Sequence, residues 1–309
     1  MKYFWLFLAQ LLILASCSKG ESIDDVDYSK DIVGAWYNEY YKEYDCFYSS
    51  GVYYCEIHTA YQENSVLSVN GNYKLEGNKC ILNYSYDGYE TVKSTNIIQS
   101  INETTFVCKG TENGETYTFT RVLDEITLEY GEKYIIRNLP FEAKIEKFES
   151  LSQGIVASTE QGEVYPIFPG IGYVKVYTDK GNIIIRVIVP NPVGFVLPNL
   201  SYVLGVSAEE LISLLGPAGL EITESGCYCY YPNNDIVKEF IVYVDETTEK
   251  ANFFYLELSD EISPDVVIEY LESNYEALQL EDDVMYLTDG NVAIIYEEED
   301  GVLLYMLMD

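Results

Sequence analysis

Closely spaced turn signals between about residues 30 and 122 constrain the fold of this chain more than any other feature. Glycine-bearing turns such as Ser50-Gly51, Asn70-Gly71 and Asp87-Gly88 separate stretches in which apolar and polar residues alternate, for example 80–84 and 116–120. No amphipathic pattern long enough for a helix interrupts them. We therefore expect short hairpins over about 95 residues, which close into a small up-and-down antiparallel barrel because closure removes the exposed sheet edges.

Three segments of this region resemble the lipocalin-like domains of Bacteroidetes lipoproteins. Gly34-Ala35-Trp36 is similar to the Gly-x-Trp opening of that family, residues 71–78 to its middle hairpin and residues 117–121 to its last strand. In the family, the arginine of the last strand stacks on the tryptophan in a cation–π contact that closes one barrel end. The resemblance therefore implies a structural contact between Trp36 and Arg121. It implies no ligand pocket, because no motif in this chain fixes the lining.

The N-terminus predicts where the protein is placed in the cell. Residues 1–16 combine a short cationic start with an apolar run whose helix would rise only ~20 Å, short of the ~30 Å hydrocarbon core of a membrane. This is the pattern of a secretory signal peptide. Residues 14–17 read Leu-Ala-Ser-Cys, which is similar to the lipobox of bacterial lipoproteins. The likeness implies that Cys17 is acylated and anchors the mature chain in lipid; an ordinary signal peptide cut near Ala15 is the alternative.

Residues 17–29 comprise the predicted acylated cysteine and, after it, a polar, acidic stretch that predicts a flexible tether. Ser18, rather than aspartate, follows Cys17, and in Gram-negative lipoproteins this implies sorting to the outer membrane. The acidic stretch is similar to surface-export signals of Bacteroidetes lipoproteins. We therefore expect a protein anchored by lipid in the outer membrane, and the periplasmic and cell-surface faces both stay open.

Export permits disulfides among the six other cysteines. A hairpin that turns near Ser50 would set Cys46 across from Cys55, and Cys80 and Cys108 fall on two later strands of the same region. These four are candidates for disulfides, with free buried thiols as the alternative, and the sequence leaves their connectivity open. No Cys-x-x-Cys motif occurs, which argues against zinc binding and thioredoxin-like chemistry.

Residues 123–190 predict a second β domain. Apolar residues alternate between glycine-bearing corners, which favours a small sandwich. The order of the segments resembles a group-2 bacterial immunoglobulin-like domain, most specifically in the Val-x-x-x-x-Pro-Gly-x-Gly-x-Val pattern of residues 164–174. The chain departs from the family at 148–150, which read Phe-Glu-Ser in place of Trp-Ser-Ser. The resemblance implies a spacer or adhesive module and brings no site with it.

An internal repeat follows the boundary at Pro190 and Pro192 and fills residues 191–309. Ser207 opens a helix with a Ser-x-x-Glu capping box, and Ser263 with Pro264 opens a second helix. Three strands are predicted after each helix. We therefore expect a duplicated α-β-β-β unit, in which one six-stranded sheet carries two helices on one face. The predicted fold class is mainly β with an α+β C-terminal domain.

Composition narrows the chemistry. The chain has 18 Lys and Arg against 51 Asp and Glu, so its net charge of -33 excludes nucleic-acid partners. A single histidine, His58, rules out multi-histidine metal sites and leaves no Ser-His-Asp triad unless it takes part itself. No motif for phosphate binding, acyl transfer or calcium binding occurs. Dense tyrosines near 40–44 and 53–54 suit either core packing or a sugar platform.

These observations predict a non-enzymatic interaction protein that binds another protein or a glycan and needs no cofactor or metal. The first alternative is a carrier that holds a small apolar ligand in the barrel. The barrel's size argues against it, and a cavity above ~300 Å³ would favour it. The second alternative is a glycosidase, which needs two carboxylates about 5–9.5 Å apart in a cleft.

Overall fold

The computed structural model describes the following residues: 27–58, 66–86, 91–137, 139, 143–152, 154–192, 194–197, 200, 203–222, 226–232, 236–281, 284–288, 292–298 and 300–307. Cys17 and the predicted signal peptide lie outside this part of the chain. Within it, strands predominate, and neither of the two helices is long and apolar enough to span a lipid bilayer.

Eight antiparallel strands form a closed barrel, which confirms the predicted antiparallel barrel. They are β1 (Gly34–Asn38), β2 (Glu43–Phe47), β3 (Val52–His58), β4 (Val66–Glu76), β5 (Lys79–Tyr86), β6 (Val92–Ile101), β7 (Thr105–Gly110) and β8 (Thr116–Thr127). Each strand pairs with the next, and β1 pairs with β8 to close the ring, with Trp36 opposite Arg121. Inward side chains alternate with outward ones along each strand, and the inward set forms a core of its own.

Strand β8 runs past the barrel into a second layer. Its last residues pair in parallel with β14 (Ile183–Val189), which continues through β13 (Gly170–Thr178) to β10 (Ile145–Ser150). A separate three-stranded sheet contains β9 (Tyr134–Ile135), β11 (Val156–Ser158) and β12 (Glu163–Pro166). Buried residues of both sheets share one hydrophobic cluster, so the two sheets enclose a common core.

The C-terminal sheet has eight strands in the described residues, where the sequence predicted six. The strands are β15 (Leu220–Ile222), β16 (Cys227–Tyr230), β17 (Val237–Asp245), β18 (Lys250–Leu258), β19 (Glu276–Glu281), β20 (Val284–Thr288), β21 (Val292–Glu297) and β22 (Val302–Leu307). Their order is β15-β16-β17-β18-β22-β21-β20-β19. The two extra strands, β15 and β19, are the sheet's edges, and each directly follows a helix.

The two helices lie where the capping signals place them. Helix α1 (Ala208–Leu215) begins at Ser207, whose hydroxyl accepts from the Glu210 amide while the Glu210 carboxylate accepts from the Ser207 amide. Helix α2 (Pro264–Asn274) begins after Ser263, which makes no capping hydrogen bond through its side chain. The residues that both helices bury join the same cluster as one face of the C-terminal sheet. Helix α1 also packs on β10 and β11.

Candidate binding sites in the barrel and the C-terminal sheet

One end of the barrel is closed by the contact that the lipocalin-like resemblance implies. The guanidinium carbon of Arg121 lies 4.0 Å from the ring centroid of the fully buried Trp36. Arg121 also donates to the carbonyl oxygens of Val33 at 3.1 Å and Asp31 at 3.0 Å. Gly34 has φ +130°, and a Cβ there would lie 2.6 Å from the Arg121 Nη1 atom. The glycine of the Gly-x-Trp segment is therefore required for the close approach of the arginine, and this cluster is structural.

The rest of the barrel interior holds a cavity of about 300 Å³. Its walls carry aromatic rings, among them Tyr53, Tyr117 and Phe119, and its polar groups include the carboxyls of Glu43 and Asp45. Because β2 alternates, these two acids point inward together with Phe47, while Tyr44 and Cys46 point outward. The cavity is thus a space of mixed polarity, with apolar and aromatic side chains, Ser94 and Asn96 in its lining and two acids on one wall.

The two acids form a compact cluster with Cys55. Donor atoms of Glu43, Asp45 and Cys55 all lie within 4.8 Å of one another. The Tyr53 hydroxyl donates to Asp45 at 2.7 Å, and the Cys55 thiol lies 3.5 Å from Glu43. Burial, and then the charge of Glu43, raise the pKa of Asp45 well above its usual range. Among the described residues, neither acid has an ion-pair partner. The raised pKa shifts Asp45 toward its protonated form, in which a carboxyl group can also donate a hydrogen bond.

Burial raises the pKa of the Cys55 thiol far above its usual range, and it also raises the pKa of Glu43. A metal ion at this cluster would have to displace the protons that these shifts retain, and its own charge would lower the pKa values again. In their protonated forms the same groups offer hydrogen bonds to a neutral ligand.

All six cysteines of the described residues are free, which corresponds to the alternative of buried free thiols rather than to the candidate disulfides. Cys46 lies opposite Tyr54, and Cys55 lies opposite Asp45, so their side chains leave opposite faces of the barrel wall. Cys80 on β5 and Cys108 on β7 both point inward, but β6 runs between them. Two strand spacings separate their Cα atoms by about 10 Å, beyond the ~7 Å that a disulfide can bridge.

A buried arginine joins the barrel to the next sheet. Arg186 on β14 donates to Glu56 on β3 at 2.6 Å and also to Glu125 on β8, and its guanidinium carbon lies 4.5 Å from the Tyr44 ring centroid. The side chains of Arg186 and Glu56 are 8% and 9% exposed. The sequence analysis missed this contact. A single charge in the apolar run 183–189 was the available signal, since a buried charge needs a partner.

A second candidate site is an apolar face of the C-terminal sheet. We call this the open face; its nine members are Ile241, Tyr243, Phe253, Tyr255, Tyr286, Ala293, Ile295, Leu304 and Met306. Each is half-buried, and none belongs to any hydrophobic core cluster in the described part of the chain. The core clusters instead hold their strand neighbours, such as Val242, Phe254 and Ile294. The open face therefore points away from the helices.

The strand register places the open face in two continuous rows. In the first, Ile241, Tyr255, Leu304, Ile295 and Tyr286 lie opposite one another on five adjacent strands. In the second row, next to Ala293 and Met306, the rings of Tyr243 and Phe253 stack with centroids 4.2 Å apart. An antiparallel sheet with one solvated face normally alternates apolar and polar residues. Here both faces are apolar, which is typical of a sheet covered on both sides.

Acidic residues border the first row of the open face. Glu239 lies directly opposite Glu257 across β17 and β18, and Glu297 follows Val302 along the same line. Lys238 contacts Glu257 at 3.3 Å and Asp260 at 2.6 Å. We call Glu239, Glu257 and Glu297 the acidic rim. Burial, and then the charges of Glu257 and Glu239, raise the pKa of Tyr255, as expected beside these carboxylates.

The other residues singled out in the sequence contribute no second constellation. His58 ends β3 with its backbone opposite Val66, and its side chain lies outside the described part of the structure. Asp245 accepts from the amides of Thr247 and Thr248 and so stabilises a turn. Cys17 lies outside the described residues.

No known protein-family model matches this chain, and a search of curated proteins found no relative. The lipocalin-like and immunoglobulin-like resemblances therefore stay predictions. The function has to be inferred from the sites themselves.

Proposed function

We propose that this protein is a lipid-anchored, non-enzymatic protein of the bacterial outer membrane that binds another protein through the open face. The observation that carries the proposal is two adjoining rows of apolar side chains that belong to no hydrophobic core cluster of the described residues. An apolar patch of this extent on a soluble domain is typical of an interaction site. Ile241, Ile295 and Leu304 offer no hydrogen bonds to sugar hydroxyls, which favours a protein over a glycan.

The anchor and the domain order belong to the same proposal. The lipobox supports acylation of Cys17, with residues 17–29 as tether. The closed barrel supports a lipocalin-like domain at 30–122, and the two facing sheets support an immunoglobulin-like domain at 123–190. The helix–strand repeat supports a duplicated α-β-β-β unit at 191–309, extended by one edge strand in each half. In this arrangement two domains hold the open face away from the membrane.

The absence of catalysis is also a proposal, and the carboxyl geometry supports it. Glu43 and Asp45 are paired acids in a concave site, and the Tyr53 hydroxyl and the Cys55 thiol already lie within hydrogen-bonding distance of their oxygens. A cavity of about 300 Å³ also leaves little room for two sugar rings across a scissile bond.

A photo-crosslinking experiment in intact cells tests the binding function. Tyr255 on the open face is replaced by p-benzoyl-phenylalanine, and Tyr48, a 50% exposed tyrosine of the barrel, serves as the matched control position. We expect a discrete, light-dependent adduct from position 255 and none from position 48. Absence of an adduct at 255, or equal adducts at both positions, would overturn the proposal.

The lipid anchor has its own test. Cys17→Ser should release the protein from the membrane fraction into the soluble fraction, because acyl chains on Cys17 are the proposed attachment. Mass spectrometry of the native N-terminus should show the added acyl mass. Unchanged fractionation of the variant would refute the lipid anchor, and the proposal that the open face binds a protein would be unaffected.

A carrier function for the barrel is the second candidate, and the cavity of about 300 Å³ favours it. This volume reaches the lower bound of ordinary ligand pockets. Glu43 and Asp45 add a hydrogen-bonding wall, so the suitable ligand has an apolar body and one polar group. N-phenyl-1-naphthylamine is a probe of this kind, and its fluorescence should rise on binding. Leu82→Trp, which fills the cavity, should abolish the signal, whereas Ile295→Lys on the open face should not.

A further inference from the structure

We infer that the partner of the open face is a protein that presents an apolar contact surface bordered by lysine and arginine, and not a second copy of this chain. The inference rests on the proposed function and adds the chemistry of the partner. Two observations carry it: the extent of the open face and the charge along its border.

The open face is smaller than a stable interface. Five strands spaced about 4.8 Å apart span about 24 Å, and two rows of side chains cover about 14 Å along the strands, which gives about 340 Å². Stable protein interfaces bury about 800 Å² on each partner. A stable interface must therefore extend beyond the nine apolar residues and include the residues that border the open face.

The border next to the first row is acidic. Glu239, Glu257 and Glu297 follow one line across β17, β18 and β21, broken only by Val302 on β22. Like charges directly opposite each other in a sheet are destabilising, as for Glu239 and Glu257. Lys238 lies 3.3 Å from Glu257 and closer, at 2.6 Å, to Asp260 outside the rim; among the described ion pairs it has none with Glu239 or Glu297. Basic side chains of a partner would relieve this repulsion and match the rim.

The same charge argues against self-association. The chain carries a net charge of -33, so two copies repel each other over distances comparable to the Debye length. A two-fold interface on this face would enclose both acidic rims, six carboxylates, at the edge of a small apolar contact. A bilayer rich in anionic lipid meets the same repulsion. A cationic protein is the occupant that the rim favours.

The test combines the crosslinked adduct from position 255 with charge variants. After the adducted protein is identified by mass spectrometry, its affinity for the full chain is measured at low and high salt. We expect Glu239→Gln with Glu257→Gln to weaken binding about five- to tenfold and to reduce the salt dependence. The matched control, Glu103→Gln with Glu112→Gln on exposed barrel turns, should leave both unchanged.

Each outcome separates the inference from the function it rests on. An adduct whose binding is unaffected by the rim substitutions overturns the inference and leaves the protein-binding function standing. An adduct of twice the chain mass, or one to lipid, also overturns it. No adduct from position 255 refutes the proposed function itself. Melting temperatures equal to wild type establish that the rim variants are folded.

Discussion

Replacing Arg186 by methionine tests how the barrel is joined to the sheet that follows it. Arg186 lies on β14 and donates to Glu56 on the barrel strand β3 at 2.6 Å, with both side chains less than a tenth exposed. Methionine keeps much of the volume of the stem but removes the charge. Glu56 would then stay buried at the junction with only the Tyr54 hydroxyl as a hydrogen-bond partner.

The expected loss in the free energy of unfolding follows from the burial of Arg186 and Glu56. Removing one partner of a buried ion pair costs about 3–5 kcal/mol, because the remaining charge is uncompensated. The second partner, Glu125, is half-exposed in its side chain, so its share is about 1 kcal/mol or less. Adding Glu56→Gln removes the stranded charge. The double variant should therefore regain most of the loss, with an interaction energy of about 2–3 kcal/mol between the two sites.

Trp36 supplies the assay, since the chain has two tryptophans and the other, Trp5, lies in the predicted signal peptide. Urea unfolding of the processed chain, followed by Trp36 fluorescence, reports the barrel alone, and circular dichroism reports all strands. Arg186→Met should lower the free energy of unfolding by at least 3 kcal/mol in the fluorescence signal. A loss under about 1 kcal/mol, or a double variant as unstable as the single one, would show that Arg186 does not compensate Glu56.

Three further predictions use the same measurements. Arg121→Lys should cost about 2 kcal/mol and shift the tryptophan emission to longer wavelength, because lysine cannot bond two carbonyls and stack on the ring at once; unchanged emission would contradict this. Burial raises the pKa of Asp45, so the folded chain binds a proton that the unfolded chain releases above about pH 4, and stability falls as pH rises through the raised pKa. Asp45→Asn should flatten that slope and stabilise the barrel at pH 8, whereas the exposed control Glu112→Gln should keep the wild-type slope. Ile294→Ala in the core should cost about 2–5 kcal/mol and Ile295→Ala on the open face under about 1.5; equal losses would mean that the open face is core.

The barrel could be predicted from the sequence because its contacts are local. Each strand pairs with the next, so turn spacing and alternation define seven of the eight pairings. The closing pair, β1 with β8, came from the resemblance at Gly34-Ala35-Trp36 and Arg121. The C-terminal strands β15 and β19 were missed because each is an edge strand that follows a helix directly. Residues 276–281, Glu-Ala-Leu-Gln-Leu-Glu, also favour a helix by intrinsic propensity.

Counting the strand register from the turn separates Cys46 from Cys55. A three-residue loop at 49–51 pairs Tyr48 with Val52. Cys46 therefore lies opposite Tyr54, and Cys55 is one residue further along the strand. One residue is enough to put two side chains on opposite faces of a strand pair. By contrast, the contact between Arg186 and Glu56 joins residues 130 positions apart. It depends on how two sheets meet, and no local pattern in the sequence gives that.

Strand β17, which contributes to the open face, lacks the usual alternation of apolar and polar residues. Alternation is lost along Phe240–Val244, where five consecutive apolar residues serve the core and the open face in turn. The sequence predicted only a strand here. In a sheet with one face in solvent, however, that face normally carries polar residues, so a second apolar face indicates a contact. An exposed apolar surface also invites aggregation, and the net charge of -33 counteracts it by keeping copies of the chain apart. Under the proposed function, this charge opposes self-association while the apolar face stays open to a partner of opposite charge.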